Sequence, residues 1–268
     1  MALATRQTQI LATSAVCAAL YAIAKALTAF VPTPWGVGQF APGVVVPALF
    51  AVISGPLVGA VGAGIGVFLG DLYLSTLGFT TPLLSLTAGV PANFVGFYLL
   101  GYMLHRSGSW RVFSWASLVS LLVGNLIAAS VVVFTFLLPN SALDVQLATT
   151  LGLTLFWLVT MLPFVLALVP LLTRAVSRSL GTTSLFAVVP EWEDPGEDSL
   201  ILDSAGIALL FLAALLVLMF TPLGESIGSA TGIGAFWLKV LVWSASVSMI
   251  IFGPLVGILA QPQRPKNS

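Results

Sequence analysis

The sequence predicts an all-α integral membrane protein: a bundle of six helices followed by two further C-terminal transmembrane helices. Three observations carry this. Of 268 residues, 59% are hydrophobic and 7% charged, whereas a soluble domain carries about 25% charged residues. Mean hydropathy is +1.10, too high for a chain that must cover a water-facing surface. The apolar residues also fall into runs near the roughly 20 residues that an α-helix needs to cross a bilayer.

Eight such runs follow in order, at about 9–30, 43–54, 57–76, 83–104, 112–138, 148–173, 200–221 and 235–259. The first is too long for the apolar region of a signal peptide and has no cleavage motif, so it is read as a retained helix. Alanines recur in it four apart, at 15/19, 18/22 and 22/26. Such spacing clears a smooth face on which another helix can dock, within the chain or in a partner. The following loop, 31–42, contains three prolines, two glycines, Trp35 and Gln39. Trp35 and Gln39 can cover a ligand with one aromatic face and one amide. Alternatively, Trp35 anchors the loop at the headgroups.

The second run is short and stops at Ser54-Gly55-Pro56, where proline suits the first turn of a new helix. Runs two and three together are too long for one span, so two helices joined by a tight turn are expected. The third run has glycines at 55, 59, 62, 66 and 70 and ends on Asp71. The glycines suit close helix packing. Asp71 is a costly charge at membrane depth, placed to accept hydrogen bonds from a ligand or to pair with Lys25. In the fourth run Pro91 frees a backbone carbonyl and Asn93 either bonds across helices or faces a cavity. Asn125 in the fifth run has the same two options, its apolar surroundings favouring an interhelical bond. Trp157 and Thr160 in the sixth run complete the candidate cavity lining.

Orientation follows from the basic residues. With the N-terminus cytoplasmic, Arg6, Arg106, Arg111, Arg174, Arg178, Arg264 and Lys266 all lie inside, and only Lys25 and Lys239 fall within spans. This pattern requires the break at Gly55-Pro56. It places both termini in the cytoplasm of a multi-pass protein of the cell membrane. Residues 181–199 bring a change of composition, with Glu191, Glu193, Asp194, Glu197 and Asp198. They read as a solvated cytoplasmic linker between a six-span unit, 1–180, and a two-span appendage, 200–268.

Several function classes are disfavoured. Formal net charge is zero, which argues against a nucleic-acid partner. One cysteine and one histidine give no disulfide and no Cys/His metal cluster. There is no P-loop, H-E-x-x-H or G-x-S-x-G motif, so neither ATPase nor hydrolase chemistry is read in this chain, and no cofactor or metal is expected.

The alanine-spaced first helix, the run from Phe40 to Phe50, Gly55-Pro56-Leu57-Val58-Gly59, Gly70-Asp71 and the stretch from Pro82 to Gly101 together resemble the substrate-binding S component of energy-coupling factor (ECF) vitamin transporters. The riboflavin-type subgroup is the most similar. The resemblance covers residues 8–178. It implies a subunit that captures a vitamin from outside, docks through Ala15, Ala19 and Ala22 on a membrane T component, and relies on two cytoplasmic ATPases. It further implies that the subunit topples in the membrane to release its ligand. The implied ligand site lies under the loop at 31–42, beside the fourth to sixth helices, with Trp35, Gln39, Asp71, Asn93, Asn125 and Trp157 as candidate contacts. The two spans after residue 200 depart from the family pattern; they read as a gate, a docking element or a lipid-facing addition, with Glu225 near the entrance. Two other readings remain open: a self-contained carrier coupling protons through Asp71 and Lys25, and a membrane scaffold with no ligand.

Overall fold

The computed structural model describes residues 2–30, 33, 38–106 and 109–180, together with Gly206, Leu209, Ala213, Pro222, Glu225, Val240, Trp243 and Val247. The linker at 181–199 and both C-terminal spans otherwise lie outside the described residues, as does Trp35.

Within the described residues the chain forms six helices. They are α1 (Ala2–Thr28), α2 (Val45–Ser54), α3 (Pro56–Thr76), α4 (Pro82–Arg106), α5 (Trp110–Val131, continued by a π-helical turn at Val132–Leu137) and α6 (Leu143–Leu180). Five are long and apolar enough to cross a membrane. The all-α membrane architecture expected from composition is therefore present.

The second helix is the exception to a full span. Its 10 residues rise only about 15 Å, half the hydrocarbon thickness. A 3₁₀ turn at Pro42–Val44 starts it. Gly55, at φ +98°, ends it and reverses the chain into Pro56 on the first turn of α3. A side chain at Gly55 would be strained in that left-handed backbone. Because α2 is buried on nearly every side between α1, α3, α4 and α6, it is a protein-filled centre rather than a lipid-exposed span. The helices around it follow the order α1, α3, α4, α5, α6, each packed on the next.

The α1–α3 seam shows why the glycine run exists. Gly62, Gly66 and Gly70 lie one turn apart and face Ser14 and Cys17, Ala18 and Tyr21, then Ala22 and Lys25. A Cβ on Gly66 would stand 2.8 Å from the Ala18 carbonyl oxygen, inside any allowed contact. Helix backbones this close gain dispersion contacts that larger residues would forbid. On α1, Ala18 is buried in this seam and Ala22 is half-buried, whereas Ala15 and Ala19 are exposed. Arg6, Arg106, Arg111, Arg174 and Arg178 all lie at the Gly55 end of the bundle, and the loops carrying Gly38 and Phe79 lie at the other.

A polar cavity at the loop end of the bundle

The loop end encloses a cavity of about 830 Å³, mouth included, walled by α1, α3, α4, α5 and α6 and by the segment at 38–41. Two irregular turns form part of the wall. One is a π-helical turn at Ser85–Gly89 within α4. Pro91 explains it, because proline supplies no N–H and crowds the carbonyl four residues back. The helix widens instead, and the Val90 N–H donates to the Ser85 carbonyl. The other is the π-helical turn at Val132–Leu137, which ends just before Pro139. Such turns re-aim backbone and side chains, frequently at functional sites.

The polar side chains lie in two layers. Nearer the loops, the Lys25 ammonium stands 2.9 Å from Asp71 Oδ1, and the Ser85 hydroxyl donates to Asp71 Oδ2 at 2.6 Å. Both carboxylate oxygens are thus engaged, and α1, α3 and α4 are tied at one point. One helical turn deeper, the Tyr21 hydroxyl donates to Asn93 Oδ1 at 2.9 Å. The Asn93 amide nitrogen donates to the Gly89 carbonyl at 2.9 Å. Across from it, Asn125 is 7% exposed, and its amide nitrogen has no partner among the described residues. Gly96 and Gly124 floor the space between these asparagines; each lies against the backbone of the opposite helix, so no side chain fills the slot. Tyr21, Phe97 and Trp157 supply aromatic wall.

The loop covers this space. Gly38, at φ +82°, rests on the Trp157 indole, so tightly that a Cβ there would overlap the ring. The Gln39 amide nitrogen donates to the Phe79 carbonyl at 2.8 Å. Phe40 meets Phe164 edge-on, with centroids 5.6 Å apart, and Phe30 meets Phe79 in the same way at 6.4 Å.

Gln39, Asp71, Asn93, Asn125 and Trp157 therefore line one cavity, although they come from five separate segments. Thr160 is not in its wall; its hydroxyl donates to the Trp157 carbonyl at 3.1 Å. Tyr21 and Ser85 were not among the sequence candidates. Tyr21 had a signal, since it precedes Lys25 by one helical turn on the same face. Ser85 had none, because the π-helical turn decides where it points. Among the described residues, no group of His, Cys, Asp and Glu could hold a metal ion.

A helical membrane bundle with a concave, partly polar cavity at one end is an architecture suited to holding a small solute. The family model for the ECF-type riboflavin transporter S component matches residues 5–175, and the chain belongs to that family. It is accordingly a multi-pass substrate-binding subunit of a vitamin transporter rather than an enzyme. The matched region runs from α1 into the last turns of α6 and stops before the acidic linker. No curated protein and no solved structure matches the chain.

Proposed function

We propose that this chain captures riboflavin, or a closely related uncharged heterocycle, in the cavity beneath the 38–41 segment. It then hands the ligand inward with a membrane T component and two cytoplasmic ATPases. The observation that carries this reading is the buried Asn125 amide, which has no partner among the described residues, in a cavity whose wall includes glycines, aromatic rings and a second asparagine. A buried donor without a partner is costly. A ring carbonyl or ring nitrogen of a ligand satisfies it, while Tyr21, Phe97 and Trp157 pack a flat aromatic system. The basic residues at the Gly55 end support a cytoplasmic position for that end, with the cavity mouth outside. On the outward face of α1, Ala15 and Ala19 form the docking surface for the T component, with Ala22 at its edge beside the α3 seam.

Native mass spectrometry and flavin-fluorescence titration of the purified full chain test the binding step. A retained or saturable flavin is expected; a protein that neither retains nor binds any small nutrient would be a scaffold. Uptake in cells with and without the ATPases tests the transport step. The alternative, a proton-coupled carrier using the Lys25–Asp71 pair, requires uptake that persists without the ATPases and collapses with the proton gradient.

A further inference from the structure

We propose that Asp71 sets the charge preference of the cavity: by holding Lys25 in an ion pair it silences the one cation in the described wall, and so excludes anionic relatives of an uncharged ligand. This rests on the reading of the cavity as the ligand site.

Lys25 is the one basic residue and Asp71 the one acidic residue among the described residues that line the cavity. Their side chains are 15% and 7% exposed and their charged atoms are 2.9 Å apart. Ser85 engages the second carboxylate oxygen, so each oxygen of Asp71 already has a partner within the protein. Lys25 keeps N–H groups beyond the one given to Asp71, and it lies in the layer nearer the mouth. A buried pair of this kind presents a dipole of zero net charge. An incoming phosphate or carboxylate would lose its hydration and meet no uncompensated cation, while Asp71 itself would repel it. Discrimination of this type comes from a repulsive element set against the wrong ligand rather than from an added contact to the right one. Asp71 is thus a specificity-determining residue that acts through Lys25, distinct from the asparagines that meet the ligand.

The test compares affinities of one preparation for riboflavin and for riboflavin 5′-phosphate. Their ratio cancels any general loss of folded protein. Asp71→Asn leaves Lys25 uncompensated, and the phosphate form should gain on the neutral form by about tenfold or more. Lys25→Met leaves Asp71 unopposed and should move the ratio the other way. The double variant, Lys25→Met with Asp71→Asn, should return it towards the starting value. A purely structural pair would weaken both ligands together, so single variants that leave the ratio within about twofold of the native protein (a difference under ~0.5 kcal/mol) overturn the inference while leaving flavin binding intact. If the native protein binds neither flavin, the reading of the site itself falls, and this inference with it.

Discussion

Asn125 and Gly38 show how single residues set the chemistry of the cavity. Asn125 has a buried amide nitrogen with no acceptor among the described residues, so removing it should cost the fold little and the ligand more. Asn125→Leu should leave thermal stability near native and weaken flavin binding by about tenfold, the worth of one net hydrogen bond. Fluorescence titration reads this, and unchanged affinity would remove Asn125 from the ligand's contacts. Gly38 is held at φ +82° against the Trp157 ring. Gly38→Val adds strain and a clash there, and should lift the 38–41 segment off the cavity. Stopped-flow binding should then show a faster dissociation rate. At this scale the sequence exposed the right residue types, because an amide or carboxylate inside an apolar run is conspicuous. It did not expose their partners. Asp71 and Lys25 are 46 positions apart in sequence, yet 2.9 Å apart in space; Tyr21 and Asn93, bonded at 2.9 Å, are separated by 72.

Among the elements, α1 has two faces with different duties. The face towards α3 is fixed by Gly62, Gly66 and Gly70. Gly66→Leu would force the two backbones apart and should destabilise the protein by about 1–3 kcal/mol, as overpacking does; a lower Tm in detergent, with weaker ligand binding because Tyr21 and Lys25 move with α1, is the expected result. A second face exposes Ala15 and Ala19. Ala19→Trp should leave Tm and flavin affinity unchanged and block co-purification with the T component; joint loss of ligand binding would show that this face packs inside the protein instead. The repeat of alanines announced a smooth helix, but alanines at 15/19 and 18/22 are equivalent in sequence. Only their burial in the fold, Ala18 within the seam and Ala15 and Ala19 exposed, separates an internal contact from an outer surface. The π-helical turn at Ser85–Gly89 was likewise hidden: Pro91 marks an interruption, but whether a helix kinks, ends or widens there depends on what its neighbours satisfy.

For the molecule as a whole, the short buried α2 lets five spanning helices surround a protein-filled centre at the Gly55 end and an open cavity at the other. The 38–41 segment over the cavity and the paired charges in its described wall fit a subunit that binds an uncharged ligand and depends on partners for energy. Expressed without the T and ATPase components, the chain should bind flavin but give no accumulation above the external concentration. Radiolabelled uptake measures this, and concentrative uptake by the chain alone would contradict the partner-dependent reading.

What the sequence by itself determined was class, family and the helix order up to residue 180. Hydropathy, the Gly55-Pro56 break and the distribution of arginines are local or additive properties, and a bilayer enforces them on any chain of this composition. The tertiary structure alone decided that α2 is a buried half-span, that five candidates from separate segments share one cavity, and that Asp71 pairs with both Lys25 and Ser85. These outcomes depend on which helix faces meet. That choice is made by close packing at glycines and by pairing of buried polar groups over long sequence separations, and no local pattern encodes it.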